Sequence, residues 1–220
     1  QSLFGYGGSY NDNGAVYPSS FGNAILSWEK QTLYDIAVDY SILDNRISGT
    51  INYFNRQTSD LLQSVPLSLT TGHSSQSKNI GEVENKGIEI EISADVIKSD
   101  NFSWTIYSNY TALENKVTRL AKDAAGNDIN LDGGLSRTRV GEEVDTWYMR
   151  QWAGVNSEDG TPMWYKGGDQ ENDMSIVNNW SDAEQTAVGN RLPKYTGGLG
   201  TRITLGGFYA DANFYFSGGN

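Results

Sequence analysis

Cysteine is absent from the 220 residues and histidine occurs once, at His73. A disulfide frame, a thiolate metal centre and a cysteine nucleophile are therefore excluded, and little remains from which to build a histidine triad or a zinc site. Proline is scarce, with 4 residues. Nowhere does an apolar run approach the ~18 residues that a membrane-spanning helix requires, and the mean hydropathy is −0.52. This rules out a helical membrane protein but not a transmembrane barrel, whose strands turn only every second side chain to lipid. Clustered positive charge is also missing. The net charge of −11 argues against nucleic acid as a partner, because phosphate binding needs grouped Lys and Arg. No charged-then-apolar leader follows Gln1, so a signal peptide is expected to have been removed, or the chain to be an internal stretch of a longer one.

What is abundant points one way. Glycine (25 residues), tyrosine (13) and tryptophan (6) favour β-structure with many turns. Period-two alternation dominates the chain. Thr32, Tyr34, Ile36, Val38, Tyr40 and Ile42 oppose Leu33, Asp35, Ala37, Asp39 and Ser41. Ile88, Ile90, Ile92, Ala94 and Val96 oppose Glu89, Glu91, Ser93 and Asp95. The same rhythm predicts strands near 31–43, 46–56, 87–97, 102–112, 195–205 and 208–217, with the tail of a further strand at Leu3 to Tyr10.

The connections alternate in length. Leu43–Arg46, Lys98–Asn101 and Leu205–Gly207 are tight turns, whereas links near 11–30, 57–86 and 113–194 are long. Short turns at one end and long loops at the other is the layout of an outer-membrane barrel, with turns periplasmic and loops extracellular. The aromatics agree: Tyr40, Trp104 and Phe208 fall near the turn end, and Tyr34, Tyr53, Tyr110 and Phe214 toward the other, as two interfacial girdles. Asp35, Asp39, Arg56, Glu89, Glu91, Asp95 and Arg202 then line a wet lumen. A soluble antiparallel sandwich has the same strand pattern, with Tyr34, Ile36, Ile90 and Trp104 in a core instead of on lipid. The expected fold class is all-β, an antiparallel transmembrane barrel segment of about 6–7 strands.

Candidate sites are few. Asp169, Glu171 and Asp173 alternate like the start of a calcium loop, but Met174 and Trp180 stand where an EF-hand needs Gly and Glu, so no metal is expected. Trp147, Tyr148, Trp152, Trp164, Tyr165 and Trp180 crowd the 113–194 link. These rings either contact a sugar or peptide ligand or form the loop's own small core, with a hairpin running Thr146–Val155, turning at Ser157–Gly160 and returning over Pro162–Lys166. Glu142–Glu143 and Glu89/Glu91 have the composition of glycosidase carboxylates, but nothing else suggests hydrolysis. Neither a Gly-x-Ser-x-Gly elbow nor a phosphate-binding glycine loop occurs, so the chain is expected not to be an enzyme and to need no cofactor.

Three stretches carry distinctive strings. One is the "GN..L.WE" string Gly22, Asn23, Leu26, Trp28, Glu29. The second runs from Asn52–Arg56 through Asp60–Leu62 and Val65–Pro66 to Asn79–Glu89, with the spacing "NxGxxxNKGxE". The third combines Trp152–Val155, Gly160–Pro162, Ala187–Asn190 and Pro193–Tyr195 with Gly197 and Gly198. Taken in order, these stretches resemble the C-terminal part of SusC/RagA-type TonB-dependent transporters of Bacteroidetes. The resemblance implies a plugged barrel of about 22 strands in the outer membrane, with this chain a plug-less part of its wall. It implies uptake of oligosaccharides or peptides from a SusD-like lipoprotein lid, powered through a TonB complex that contacts an N-terminal part not in this chain. Lipid and lipopolysaccharide then surround the strands, while the remainder of the barrel and the plug pair with their edges. A passive porin or export barrel shares every strand feature, and a soluble extracellular carbohydrate-binding β-sandwich remains the reading from a different class.

Overall fold

The computed structural model describes residues 3–20, 22–123, 125–171 and 173–220. In chain order the strands are β1 (Phe4–Tyr10), β2 (Asn13–Pro18), β3 (Lys30–Ile42), β4 (Ile47–Pro66), β5 (Ser75–Lys98), β6 (Phe102–Arg119), β7 (Leu131–Gly133), β8 (Ser136–Thr138), β9 (Thr146–Met149), β10 (Trp152–Val155), β11 (Pro162–Tyr165), β12 (Ile176–Val177), β13 (Thr186–Gly189), β14 (Tyr195–Leu205) and β15 (Phe208–Gly218). Single 3-10 turns lie at Leu69–Thr71 and Trp180–Asp182.

Six of these strands make one antiparallel sheet in the order β15-β14-β6-β5-β4-β3. Each strand pairs with its sequence neighbour once the 120–194 insertion is set aside, so this is an up-and-down meander. The register locks the two faces. One row runs Val38–Ile51–Ile90–Tyr110–Gly197–Phe216 across all six strands. The next row on the same face runs Ile36–Tyr53–Ile88–Ala112–Tyr195. Tyr110 and Tyr195 stack there with centroids 6.3 Å apart. The opposite face carries Asp39, Thr50, Glu91, Asn109, Gly198 and Tyr215 in register. A one-residue slip would exchange the faces, so the alternation itself specifies the pairing.

Among the described residues, no second layer covers the apolar face. Tyr34 and Ile36 are 68% and 67% exposed, Phe214 66%, and Ile90 and Trp104 are only half-buried. A sandwich would have enclosed these side chains. An uncovered apolar sheet face of this extent is stable against lipid, as the wall of a transmembrane barrel.

The tight turns sit where alternation places them. Between β3 and β4, Leu43, Asp44 and Asn45 all adopt left-handed backbone (φ 55, 55 and 62°), and Arg46 N–H closes the turn on Leu43 O at 3.1 Å. Asp and Asn tolerate that region because their short side chains bond locally. Gly206, at φ 56°, turns β14 into β15.

At the opposite end the structure departs from the expected loops. The 57–86 stretch is sheet for most of its length, because β4 and β5 run 20 and 24 residues, far beyond the ~9–11 that cross a bilayer. Alternation fades there because both faces have become polar or loop-covered, not because the strand ends. β-Bulges at Thr58/Leu61 and Leu61/Leu62, with Asp60 at φ 58°, bend the ribbon above the apolar band. Leu3 to Tyr10 does not join the six-stranded sheet. It folds back on β2 as a separate two-stranded hairpin through left-handed Asn11 and Asp12 (φ 49 and 63°), so the 11–30 link also holds a strand. The 113–194 link begins as the last part of β6 and then builds two small sheets, β13-β9-β8-β7 and β10-β11-β12.

Candidate functional site: the polar wall and its mouth

On the apolar face, chemistry changes abruptly one row above Tyr53 and Ile88. Asn55, Lys86 and Glu114 stand in register there, with Lys86 Nζ 3.3 Å from Glu114 and Asn55 Nδ2 donating to Glu84 Oε1 at 3.0 Å. Next come Gln57, hydrogen-bonded to Glu82, and Arg119, 3.4 Å from the same carboxylate. Ion pairs on a lipid-facing surface would be costly, so this row marks the edge of the apolar band.

The inner face is a lattice of hydrogen-bonded polar groups. Thr50 donates to Asp39 (2.6 Å), Asn52 to Glu89 (3.2 Å), and Tyr107 to Asp211 (2.6 Å). Arg202 places its Nε 2.6 Å from Asp211 Oδ2. Gly200 lies under the Tyr107 ring, where any Cβ would overlap it. Such pairing keeps charged side chains extended along the wall instead of collapsed into the space they face.

Above the band, the ribbon is strapped by the segment that precedes β3. Asn79 Nδ2 donates to Ser27 O (2.8 Å) and Asp60 O (2.9 Å), and its Oδ1 accepts Ser27 N–H (2.9 Å). Asn23 donates to Ser77 O at 3.0 Å, Gln76 to Gly22 O at 2.9 Å, and Glu29 accepts Leu62 N–H at 3.1 Å. Lys30 pairs with Asp60 at 2.9 Å. Asn23, Ser27 and Glu29 of the Gly22–Glu29 string and Asn79 of the Asn79–Glu89 string thus meet in one strap-and-ribbon joint. Trp28 is not part of it and stands 91% exposed.

The mouth is where the side chains are buried. Val117 is wholly buried, and its backbone bonds both Glu142 O and Gly141 N–H at 2.8 Å. Asn115 clamps the same junction: its Nδ2 donates to Asn85 Oδ1 (2.6 Å) and its Oδ1 accepts Val144 N–H (2.9 Å). By register both residues continue the polar face of β6, so the insertion folds over the inner side of the wall. Arg137 binds Glu142 through two nitrogens (2.8 and 2.6 Å) and lies over the Tyr148 ring at 4.4 Å. Glu143 accepts from Asn190 at 2.9 Å, and burial pushes its carboxyl above the usual range. Asp123, Asp159 and Asp173 go the other way, held low by hydrogen bonds to their own loops, chiefly from Asn127, Thr161 and Ser175.

The six candidate aromatics do not converge. Trp147 and Tyr148 belong to the four-stranded mouth sheet, while Trp152, Trp164 and Tyr165 belong to the three-stranded one. The expected single strand Thr146–Val155 is broken at Arg150–Gln151, and its halves enter different sheets; the return over β11 does pair with β10. Trp152 meets Trp164 edge-on at 5.5 Å. Arg150 lies 3.9 Å over Trp180 and donates to Ala183 O at 2.7 Å. These are internal contacts of the loop, although Trp152 and Trp180 also keep 52% and 54% of their surface exposed. Asp173 accepts Ser175 N–H at 2.8 Å within its own turn, and Asp169 accepts from Thr186 of β13 at 2.9 Å, so both hold the insertion's own fold. His73 sits at the tip of the β4–β5 ribbon. Sequence reasoning missed Asn115 and Gln63, polar residues on a strand with no periodic signal to mark them as buried.

The family model described as TonB dependent receptor-like, beta-barrel matches residues 1–220. TonB-dependent receptor P3 of Formosa agariphila is 30% identical over 231 residues, covering 98% of this chain and 22% of that protein. TonB-dependent receptor SusC of Bacteroides thetaiotaomicron is 33% identical over 156 residues, or 66% of this chain and 15% of that protein. Among solved structures, the RagAB peptide importer in its open-open state superposes with a TM-score of 0.84 at 24% identity, covering 100% of this chain and 24% of that one. Another structure of the RagAB peptide transporter gives 0.81 at 24% identity, again over 100% of this chain and 24% of that one. These two likenesses establish the fold. The chain spans between about a fifth and a quarter of the length of the first curated relatives it matches.

Proposed function

The chain belongs to the TonB dependent receptor-like β-barrel family, and on that premise we propose that it forms part of the wall and mouth of an outer-membrane importer of oligosaccharides or peptides. The observation that carries this reading is the two-sidedness of one sheet. Its outer face is an uncovered apolar band closed off by the Lys86–Glu114 row, and its inner face is a polar lattice roofed by a folded insertion. A wall of this kind guides solutes and performs no bond chemistry. The unpaired edges of β3 and β15 are then completed by the rest of the barrel, since an open sheet edge in lipid leaves backbone groups unsatisfied. The mouth, with β7–β13 and the ribbon tip, contacts the arriving substrate and a SusD-like lipoprotein lid. A plug and a TonB complex supply the coupling from elsewhere in the protein. Support comes from relatives named as TonB-dependent receptors and from the fold shared with a peptide importer.

The test is uptake by cells producing the full-length protein, with labelled oligosaccharide or oligopeptide as cargo. Import that collapses on adding a proton uncoupler is the expected result. Import that persists undiminished would identify a passive pore instead.

A further inference from the structure

Of the five seams in the six-stranded wall, four carry a local feature that fixes their register. β3–β4 closes on the tight turn at Leu43–Arg46, and β14–β15 on Gly206. β4–β5 is bulged at Thr58/Leu61 and Leu61/Leu62, and β5–β6 at Glu82/Val83 and Asp95/Ile97. The seam β6–β14 has neither device among the described residues. Its pairs run from Phe102↔Leu205 to Ala112↔Tyr195 without a bulge, and the 120–194 insertion separates the two strands in sequence. Alternation forbids a slip of one residue there, because the faces would exchange. A slip of two residues leaves every side chain on its own face, so alternation does not exclude it.

Tyr107 crosses this seam. It stands on β6 directly opposite Gly200 of β14, and its ring lies over that glycine, where a Cβ would overlap it. Its hydroxyl passes beyond β14 to β15, donating to Asp211 Oδ1 at 2.6 Å and lying 2.8 Å from Asn213 Oδ1. On the outer face Trp104 Nε1 donates to Thr201 Oγ1 at 2.8 Å, a tie that stops at β14.

We propose that Tyr107 is the register staple of this seam, laid across Gly200 to fasten the β14–β15 hairpin to β6 as the wall assembles. A slip of two residues in one direction would set the ring on Arg202, whose Cβ takes up the seat. In the other direction the ring would find Gly198, but its hydroxyl would then face Tyr215 and Asn213 and lose the Asp211 carboxylate. Only the observed register offers both a glycine seat and a charged acceptor, and hydrogen bonds to ionised acceptors are the strong ones.

Disulfide trapping in the full-length protein assembled in membranes tests the staple, with any cysteine outside this stretch replaced by serine. Leu199→Cys combined with Ser108→Cys reads the observed register, since those residues are directly opposite. Leu199→Cys combined with Ile106→Cys or with Tyr110→Cys reads a slip of two in either direction, because diagonal Cα atoms about 7–8 Å apart are beyond disulfide reach. With Tyr107 and Gly200 intact, only the Ser108 pair is expected to cross-link. Tyr107→Phe, which keeps the ring but removes the donor, is expected to raise the diagonal cross-links by about tenfold or more. Gly200→Ala, which blocks the seat, is expected to do the same; if it fails to fold, Tyr107→Phe decides alone. Diagonal cross-links unchanged by Tyr107→Phe overturn the proposal and leave the Trp104–Thr201 tie to hold the register. Cross-linking needs no cargo, so this outcome is independent of the importer reading.

Discussion

Along β4 the chain passes through two regimes within twenty residues. From Ile47 to Tyr53 every second side chain faces outward, and Ile51 and Tyr53 stay exposed; at Gln63 and Val65, on the same strand, a polar and an apolar residue are both buried. The lower region has lipid as its solvent. Its stability comes from register and from the hydrogen-bond ladder, interrupted only by a bulge at Asp95/Ile97 between β5 and β6, since no second layer packs on it among the described residues. The upper region has water as its solvent and behaves as a small soluble protein would, with buried clamps, bidentate ion pairs and short sheets. The difference teaches that one strand can be read by two sets of rules, with the Lys86–Glu114 row as the boundary between them.

The sharpest way to break that comparison is to put the same charge on both faces of the lower region. Ile51→Arg, in the middle of the apolar band, is expected to destabilise the full-length protein by about 2–4 kcal/mol when refolding into vesicles is followed against denaturant. Asn52→Arg, one residue on and facing inward, is expected to cost less than about 1 kcal/mol. Equal costs would show that the apolar face does not meet lipid.

Next in size is the mouth clamp. Asn115→Ala leaves Val144 N–H and Asn85 without their partner, and a buried group left unsatisfied costs about 1–3 kcal/mol. Hydrogen exchange is expected to quicken across 140–146 while β14 and β15 keep their protection. Uniform quickening would mean that wall and mouth are one cooperative unit. A smaller effect, about 1 kcal/mol, is expected from Arg137→Lys, which keeps the charge but loses the two-pronged contact to Glu142. Trypsin sensitivity of the insertion is a suitable readout.

The smallest effect is a pH dependence confined to the mouth. Burial raises the Glu143 carboxyl in the folded state, so its contribution is fully present below an unfolded value of about 4.3 and is lost as pH rises through the raised one. Asp123, Asp159 and Asp173 are lowered, so theirs is present above about 3.9 and is lost as pH falls through their folded values. Glu143→Gln is therefore expected to flatten the mouth's exchange protection on the neutral side of this window and leave the acid side unchanged. An altered acid side would assign the titration to the wrong group.

How far the sequence reaches follows from the same boundary. Where burial depends on one neighbouring medium on each side, alternation writes the answer locally. Tyr195–Leu205 appears in the structure with the bounds its pattern predicts, and the tight turn at Leu43–Arg46 closes on its own residues. Above the band, the decisive contacts join positions remote in sequence: Asn115 to Val144, Gln63 to Ala121, Asn23 to Ser77. None leaves a periodic trace. The ring-rich 147–180 stretch was legible as aromatic, but not as two sheets, because its break at Arg150 depends on Ala183 and Trp180.

By itself, then, the sequence determined a two-faced antiparallel wall and the family to which it belongs, since a side chain's face in a strand is set by parity alone. Only the tertiary structure decided that the strands outrun the membrane and that the insertion folds over the inner side. It also buried Gln63 and Asn115 where that insertion meets the wall. Those features depend on hydrogen bonds whose two ends are brought together by the fold.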